Sequence, residues 1–324
     1  MNILITGCAG FIGFHLCEHM LNNTKYNLVG IDNLNDYYDV NLKRSRIKIL
    51  KKSKNFFFKK IDISDLSKLT KLFKEFNFLY VVNLAAQAGV RYSIKNPNTY
   101  FKSNLEGFYN IILLSQKSNI KHFIYASTSS VYGNQKKYPL EETMNTDFPL
   151  SFYAATKKTN EIIAHSFSYI YRLPTTGLRF FTVYGPYGRP DMALHLFTKN
   201  IIENKKIKLF NYGNHQRDFT YVDDIVESIL KVLEKPPKKK IPYNIFNIGG
   251  NRSYKLTKFV SIIEKNLSKK AKIIFRSLQI GDVVKTKASS KKLDKYINKN
   301  NYISLDIGIK NFINWYKKFY NERK

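Results

Sequence analysis

The sequence is short of cysteine and of acidic residues, and it has no long apolar run. Its 324 residues contain only two cysteines, Cys8 and Cys17, so the chain is not a disulfide scaffold, and both are predicted to be small buried residues. No stretch approaches the roughly 18 consecutive apolar residues of a membrane span, and the residues after Met1 lack a secretory-signal pattern. These absences predict a soluble, cytoplasmic protein without a membrane partner.

The shortage of acidic residues leaves a large positive charge. Lysine and arginine number 54 against 24 acidic residues, which gives a formal net charge of +30. Such a charge fits a polyanionic partner in principle. The lysines are spread along the chain among abundant Asn and Ile, and no aromatic-interleaved basic motif stands out. A general enrichment of the whole chain in Lys, Asn and Ile therefore accounts for the lysines, and we predict no specific nucleic-acid partner.

Short apolar runs alternate with helical patterns over the first half of the chain, and the pattern continues beyond it. Strands are predicted over 2–6, 27–32, 56–61, 79–84, 122–126 and 175–180, and helices over 12–22, 65–76, 98–118, 151–171 and 223–234. This alternation predicts an α/β fold with a Rossmann-like, doubly wound parallel sheet. We expect a dinucleotide-binding domain over 1–180, with a contribution from about 218–248, and a smaller C-terminal substrate-binding cap formed mainly by 181–324.

The glycine-rich segment 6–13 lies between the first predicted strand and the first predicted helix. Its spacing is G-x-x-G-x-x-G, and Gly7 suits a tight turn, Gly10 a close approach of the backbone to a pyrophosphate, and Gly13 close helix packing. Asp32 ends the second predicted strand 19 residues after Gly13. A carboxylate there accepts both hydroxyls of an adenosine ribose and repels a 2′-phosphate. The segment therefore predicts binding of NAD rather than NADP.

A tyrosine, a lysine and a threonine form a second constellation. Tyr153 and Lys157 lie four residues apart on one predicted helical face, and Thr128 lies just after the strand predicted over 122–126, 25 residues upstream of the tyrosine. A phenol with a pKa near 10 is a weak base at neutral pH, and a neighbouring ammonium stabilises its phenolate. We predict Tyr153 as the acid–base group, Lys157 as its activator and Thr128 as a hydrogen-bond partner of the same reacting oxygen.

A metal site is not expected. His15, Glu18 and His19 spell the H-x-x-E-H pattern of some zinc peptidases, but they lie on the helix already assigned to the dinucleotide. No third ligand is spaced to complete such a site. Ordinary packed or solvated helix residues explain the pattern better.

These motifs resemble the extended short-chain dehydrogenases that act on nucleotide sugars, and the resemblance spans nearly the whole chain. It implies that the cofactor contacts lie at Gly7, Gly10, Phe11, Ile12, Gly13, Asp32, Asp62, Ile63, Leu84, Ala85, Ala86, Tyr153 and Lys157. It implies that the substrate contacts lie at Arg91, Ser127, Thr128, Ser129, Ser130, Thr182, Arg189, Arg217, Gln279 and Asp282. Asp62 has an equally plain alternative, which is to cap the following helix.

Within that family the sequence is most similar to the UDP-glucuronate 4-epimerases, through segments 32–39, 86–91 and 188–192. The resemblance implies NAD-dependent conversion of UDP-glucuronate to UDP-galacturonate through a 4-keto intermediate. It also implies a homodimer formed by the helices over 98–118 and 152–171.

Other functions stay open. Ser129 and Ser130 follow Thr128 where the family's dehydratases carry an Asp-Glu pair and its UDP-glucuronate decarboxylases usually carry a glutamate. Dehydration is therefore disfavoured, while decarboxylation and 4-epimerisation of another UDP-hexose remain alternatives. A non-enzymatic relative that binds NAD or RNA is a further alternative, because of the charge. Small hydroxyls over 127–130 and at Thr182 are expected to solvate the sugar carboxylate.

Overall fold

A computed structural model describes residues 1–279 and 281–321. By backbone contacts the chain separates into two compact units. Unit 1 comprises residues 1–134, 142–180 and 226–246, and unit 2 comprises residues 135–141, 181–225 and 247–324.

Twelve strands and twelve α-helices follow one another along the described part of the chain. The strands are β1 (Asn2–Thr6), β2 (Asn27–Asp32), β3 (Phe56–Lys60), β4 (Phe78–Asn83), β5 (His122–Thr128), β6 (Thr175–Phe180), β7 (Thr182–Tyr184), β8 (Lys206–Leu209), β9 (Gln216–Tyr221), β10 (Tyr243–Ile248), β11 (Ser253–Lys255) and β12 (Lys272–Phe275). The α-helices are α1 (Phe11–Asn23), α2 (Val40–Leu50), α3 (Leu66–Glu75), α4 (Val90–Lys95), α5 (Pro97–Tyr100), α6 (Gly107–Lys117), α7 (Phe152–Tyr171), α8 (Ala193–Ile202), α9 (Val222–Leu233), α10 (Leu256–Leu267), α11 (Lys291–Ile297) and α12 (Leu305–Asn321).

The main sheet has seven strands in the order β10-β6-β5-β4-β1-β2-β3. The pairings among β1 to β6 are all parallel, with Thr6 opposite Ile31 and Asn83 and with Asp32 opposite Lys60. The inner strands read as apolar runs because helices cover both faces of a parallel sheet. The predicted Rossmann-like α/β fold is confirmed, and the predicted strands agree with the observed ones to within about two residues.

Two helical regions differ from the sequence prediction. The helix predicted over 98–118 is divided into α5, a π-helical turn over Phe101–Glu106, and α6. The helix α2 was missed, because its buried face carries Lys43 and Arg46, which resemble surface residues in a sequence. Both side chains are almost fully buried.

Unit 2 contains two small sheets and its own apolar core. One sheet has the order β11-β9-β7 and the other pairs β12 with β8 in parallel. Helices α8, α10 and α12 supply most of the core around Phe219, Phe259 and Phe312. In the part of the chain that the structure describes, no helix is long and apolar enough to cross a bilayer.

Candidate functional site

The glycine loop connects β1 to α1 in a conformation that only glycine fits well. Gly7 has φ +71°, and a Cβ on it would lie 2.8 Å from the backbone nitrogen of Ala85. A Cβ on Gly13 would lie 2.1 Å from the carbonyl oxygen of Gly7, so α1 starts directly against the loop. Gly10 is the N-cap of α1 and provides no side chain to cap it. The start of α1 is therefore open to an anionic ligand.

Asp32 lies beside this loop at the end of β2. Its carboxylate accepts hydrogen bonds from the backbone nitrogens of Ala9 (3.1 Å) and Leu34 (2.8 Å). Burial raises the pKa of Asp32, although Lys43 and Arg46 oppose this rise. Each carboxylate oxygen keeps a second acceptor position for a ligand hydroxyl.

Arg46, which the sequence prediction missed, links α2 to the glycine loop. Its Nη1 donates to the carbonyl oxygen of Ala9 at 2.6 Å and to the Tyr38 hydroxyl at 2.8 Å. The side chain is fully buried. Nothing in a single sequence distinguishes such an arginine from a solvated one.

Asp62 does not cap the following helix. Its carboxylate accepts from Asn33 Nδ2 (2.8 Å) and from the backbone nitrogen of Ser64 (2.9 Å), whereas the N-cap of α3 is Asp65. Burial raises the pKa of Asp62, but these hydrogen bonds outweigh burial and lower it overall. The alternative of a helix cap is therefore wrong, and Asp62 instead joins the loops after β2 and β3.

The other predicted cofactor residues surround the same sheet edge. Ile63 is buried against Gly107 of α6, and Phe11 is buried in the first turn of α1. Ala85 donates its backbone N–H to the Thr6 hydroxyl at 3.0 Å, and Leu84, Ala85 and Ala86 are half-buried. Ile12 is half-buried as well.

Tyr153 and Lys157 occupy the first two turns of α7. Ser151 is the N-cap and accepts from the Ala154 nitrogen at 3.2 Å, which fixes the start of the helix. Tyr153 is half-buried and meets the Tyr100 ring edge-on, with ring centroids 6.0 Å apart. Lys157 is only 3% exposed. Burial lowers the pKa of Lys157 to about 8, although the carboxylate of Glu161 opposes this fall.

A buried amide network, absent from the sequence prediction, holds Lys157. Lys157 Nζ donates to Asn160 Oδ1 at 3.4 Å, and Asn160 Nδ2 donates to the Asn104 carbonyl oxygen at 2.7 Å. The Asn104 side chain donates to the Gln87 carbonyl oxygen and to the Thr156 hydroxyl, and it accepts from the Gln87 nitrogen. Asn104 belongs to the π-helical turn, a feature often found at functional sites. We name Lys157, Asn160, Asn104 and Gln87 the lysine cluster.

The hydroxyls at the end of β5 divide into two sets. Thr128 caps the following 3₁₀ turn by accepting from the Ser130 nitrogen at 3.2 Å, and its hydroxyl donates to Ser130 Oγ at 3.2 Å. Ser129 and Ser130 are half-buried. Ser127 is buried and donates to Glu161 Oε1 at 2.6 Å, so its hydroxyl proton is already used inside unit 1.

Glu161 is also one half of a buried ion pair. Arg179 donates from Nε and Nη2 to the two carboxylate oxygens, each at 2.8 Å, and from Nη1 to the Tyr132 hydroxyl at 3.0 Å. Both charged side chains are 4% exposed. Although burial lowers it, the pKa of Arg179 is raised overall by Glu161. We name Arg179, Glu161, Ser127 and Tyr132 the arginine cluster.

In unit 2 the predicted arginines are held by neighbouring residues. Arg189 forms a two-bonded ion pair with Asp191, with Nε–Oδ1 at 3.0 Å and Nη2–Oδ2 at 2.5 Å. Arg217 lies on β9 and donates from Nη1 to the carbonyl oxygen of Val284 at 3.0 Å. Thr182 is half-buried on β7, opposite Phe219 of β9.

A turn around residue 281 carries the remaining predicted substrate contacts of unit 2. The Asp282 nitrogen donates to the Gln279 carbonyl oxygen at 3.2 Å, and Gly281 has φ +79°. Within residues 1–279 and 281–321, Gln279 Oε1 is buried without a hydrogen-bond partner. Ile280, which the resemblance includes in this stretch, lies outside the described residues.

Asp218, next to Arg217, was not predicted as a site residue from the sequence. Its carboxylate accepts from the nitrogens of Gly250 (2.7 Å) and Ala288 (2.9 Å). Burial raises the pKa of Asp218 to about 6, against these hydrogen bonds. Asp218 therefore ties β9 to two other segments of unit 2 beside Arg217, a predicted substrate residue.

Three further sequence predictions concern Arg91, metal ions and the two cysteines. Arg91 is exposed on α4. Among the described residues, no group of three or more His, Cys, Asp or Glu is arranged to hold a metal ion. Cys8 and Cys17 are buried and unbridged, which confirms their predicted character.

Comparisons with known proteins match this chain over nearly its whole length. Protein CapI of Staphylococcus aureus is 48% identical, covering 99% of this chain and 100% of that protein. UDP-glucuronate 4-epimerase 2 of Arabidopsis thaliana is 43% identical, covering 99% of this chain and 77% of that protein. The crystal structure of UDP-glucuronic acid 4-epimerase from Bacillus cereus, in complex with UDP-glucuronic acid and NAD, superposes with a TM-score of 0.92. It is 35% identical, covering 99% of this chain and 100% of that chain.

The family comparison covers the sheet, the glycine loop and the Tyr153–Lys157 motif. The model of the NAD dependent epimerase/dehydratase family matches residues 3–249, which include the glycine loop, Thr128, Tyr153 and Lys157. The resemblance inferred from the sequence is confirmed. The chain therefore belongs to the NAD dependent epimerase/dehydratase family.

Proposed function

We propose that this protein is an NAD-dependent 4-epimerase of UDP-sugars that converts UDP-glucuronate to UDP-galacturonate. The observation that carries the proposal is a buried lysine ammonium, Lys157, one helical turn after Tyr153 at a sheet edge that also presents a dinucleotide-type glycine loop. The relatives named UDP-glucuronate 4-epimerase support the choice of sugar.

The residues of unit 1 fit NAD. Gly7, Gly10 and Gly13 leave the start of α1 bare of side chains, where a Cβ would clash or crowd the loop. Asp32 presents a carboxylate with acceptor capacity beside that loop, which suits ribose hydroxyls and disfavours a 2′-phosphate. Asp62 and Ile63 belong to the same edge and would contact the adenine. When bound, NAD accepts a hydride from C4 of the sugar and returns it.

Tyr153 would move the proton of the 4-hydroxyl. Its phenolate takes the proton as the 4-hydroxyl becomes a ketone, and the phenol returns it after the sugar has presented its other face. The Lys157 ammonium favours the phenolate by its charge, and the lysine cluster fixes where that charge lies. Thr128 would hydrogen-bond the same sugar oxygen. It is the last residue of β5, and the half-buried Ser129 and Ser130 follow it.

Unit 2 would hold the UDP group. Arg217 and Arg189 supply the positive charge for a diphosphate, and Asp191 fixes the orientation of the Arg189 guanidinium. The buried acceptor Gln279 Oε1 matches the single N–H donor of a uracil ring. The nucleotide would thus stay anchored while the sugar turns over. We propose that Asp282 contacts the nucleoside as well, and that Arg91 belongs to the substrate side.

The 4-keto intermediate of a glucuronate is a β-keto acid, which loses CO2 readily. Epimerisation therefore requires that the carboxylate be solvated and kept out of alignment with the carbonyl π system. Ser129, Ser130 and Thr182 offer small half-buried hydroxyls for this purpose. Ser127 is left out of this proposal because its hydroxyl donates to Glu161. If the protein were a UDP-glucuronate decarboxylase instead, its main product would be a UDP-pentose.

A homodimer is consistent with the surface of unit 1. Apolar side chains stand exposed on the π-helical turn and α6 (Phe101 and Tyr109) and on α7 (Ile162 and Tyr169), each between 47% and 58% exposed. Such rows of exposed apolar residues are typical of protein–protein interfaces. Dimerisation and a cytoplasmic location stay predictions, and light scattering at micromolar concentration tests the first.

Two variants test the proposal. Wild-type protein should release NAD(H) on denaturation and convert UDP-glucuronate to UDP-galacturonate with little UDP-pentose by NMR. Tyr153→Phe should lose about 10²- to 10⁴-fold in kcat with little change in the affinity for UDP. Arg217→Ala should instead raise KM. A Tyr153→Phe enzyme within a few-fold of wild type, or mainly UDP-pentose from the wild type, would refute the assignment.

A further inference from the structure

The two edges of the main sheet differ sharply in charge. The amino edge is the set of connections that lead from a helix into a strand of this sheet, namely 24–26, 51–55, 76–77, 118–121, 172–174 and 234–242. It carries one acidic residue, Glu234, and ten cations, all exposed: Lys25, Lys51, Lys52, Lys54, Lys121, Arg172, Lys235, Lys238, Lys239 and Lys240.

The carboxyl edge, where the glycine loop lies, has the opposite sign. The connections that leave β1 to β4 span 7–10, 33–39, 61–65 and 84–89. They contain no lysine or arginine and four aspartates, Asp36, Asp39, Asp62 and Asp65. A uniform drift toward lysine does not produce such a contrast between two ends of one sheet. The charge of unit 1 is therefore organised along the strand direction.

Backbone hydrogen bonds join the first residues of three strands to the connection that leads into the neighbouring strand. Leu28 donates to the Asn55 oxygen at 2.8 Å, Phe123 to the Pro174 oxygen at 2.8 Å, and Thr175 to the Pro242 oxygen at 2.9 Å. Arg172 Nη1 also donates to the Lys240 oxygen at 2.6 Å. With strands about 4.8 Å apart, seven strands make an edge roughly 29 Å wide. The cations form a band with a gap in its middle: six lie on the connections into β5, β6 and β10, four lie on those into β2 and β3, and none precedes β4 or β1 between them.

Helix ends explain only part of this band. Each connection follows a helix C-terminus, where a cation is favoured by the partial negative charge of the helix. That effect falls off within one turn, whereas Lys238, Lys239 and Lys240 lie five to seven residues beyond the end of α9 at Leu233. Lys51, Lys52 and Lys54 likewise exceed what one helix end requires.

We propose that the amino edge of unit 1 docks onto an anionic phospholipid surface. The loops that precede parallel strands lie at the same end of the sheet, so both groups of cations are available to one extended surface. Nine of the ten cations are lysines, which act as point charges on a diffuse anionic surface, whereas arginine predominates where bases or single phosphates are read. The last turn of α7 adds Ile170 and Tyr171, 61% and 50% exposed, as side chains suited to the membrane interface.

This proposal concerns surface binding and does not depend on the epimerase activity. The sequence predicted no membrane partner because it has no apolar span, and a basic edge is a different kind of contact. The sheet edge that holds the glycine loop and Tyr153 is the opposite one. Catalysis therefore provides an independent readout in the test.

The test is co-sedimentation of the full chain with vesicles of phosphatidylcholine alone, or with roughly one third phosphatidylglycerol. The edge variant is Lys235→Gln, Lys238→Gln, Lys240→Gln, which spares Lys239 because its Nζ donates to Asn244 at 3.0 Å. The control variant is Lys258→Gln, Lys310→Gln, Lys317→Gln, three exposed lysines of unit 2. Both variants lose the same charge, and both should keep bound NAD(H) and turnover.

Wild type and the control variant should bind only the anionic vesicles, and the binding should weaken as salt rises from about 0.05 to about 0.3 M. The edge variant should bind about a hundredfold more weakly. Equal weakening in both variants would overturn the proposal in favour of diffuse net charge. Binding to duplex DNA in fluorescence anisotropy, without binding to anionic vesicles, would overturn it in favour of a nucleic-acid surface.

Discussion

The arginine cluster and the lysine cluster of unit 1 each contain one buried cation. The two cations differ in their hydrogen-bond partners and in the direction of their pKa shifts. Arg179 meets the carboxylate of Glu161 through two hydrogen bonds of 2.8 Å, and the pKa of Arg179 is raised overall. Lys157 has one long hydrogen bond to a neutral amide, and its pKa is lowered to about 8.

This difference distinguishes a buried cation that stabilises the fold from one that can assist a reaction. A buried charge with a matched partner is inert, because its protonation state cannot change at ordinary pH. A buried charge without a bonded counterion carries a cost in stability, and its field remains available to a neighbouring group. Tyr153, one turn away, is the group that would use that field. The two clusters should therefore respond differently to mutation.

The largest expected effect on stability comes from breaking the arginine cluster. Arg179→Met leaves Glu161 charged and buried, so the free energy of unfolding should fall by about 3–5 kcal/mol, measured by denaturant titration. The double variant Arg179→Met, Glu161→Leu should recover part of this loss because no charge is then left unpaired. A loss below about 1 kcal/mol in the single variant would show that the pair contributes no more than a surface ion pair.

The lysine cluster should show the reverse behaviour. Lys157→Met should lower kcat by about 10²- to 10⁴-fold and should not destabilise the protein at pH 7. Between pH 8 and about 10.4 the unfolded lysine holds a proton that the folded one has lost. The free energy of unfolding of wild type should therefore rise relative to Lys157→Met by about 3 kcal/mol across that window.

Unfolding of both proteins at pH 7 and pH 10 measures this change. Lys158→Met, on the same helix but half-buried, is the matched control for the loss of one lysine from α7. A wild type that instead loses stability relative to Lys157→Met as the pH rises would mean that Lys157 is paired like Arg179.

The smallest expected effects are those of substituting Ser127 and Ser129, and they should differ between the two residues. Ser127→Ala removes one hydrogen bond to Glu161, so it should cost about 1 kcal/mol of stability and leave the ratio of UDP-pentose to UDP-galacturonate unchanged. Ser129→Ala should leave stability nearly unchanged and release more CO2 per epimerisation. If Ser127→Ala raises CO2 release as much as Ser129→Ala does, the division of hydroxyls between scaffold and substrate is wrong.

Sequence patterns predicted the features that depend on local order. The strand of apolar residues before the glycine loop, the Tyr153–Lys157 spacing and the family follow from short-range pattern, and fold and family are confirmed. Partners distant in the chain were not predictable. Ser127 lies 34 residues from Glu161, and Asn104 lies 52 residues from Thr156. Helix α2 was missed because buried Arg46 has the composition of a surface residue.

The π-helical turn over Phe101–Glu106 limits how this part of the chain can vary in length. In that turn Gly107 bonds back to Lys102, five residues earlier, so the helix holds one residue more than a regular α-helix would. Deleting that residue would restore regular geometry but rotate everything on one side by about 100° relative to the other. Asn104 would then no longer meet Gln87 and Thr156. We therefore expect length changes to accumulate in the loops on either side of this helix and to be excluded from within it.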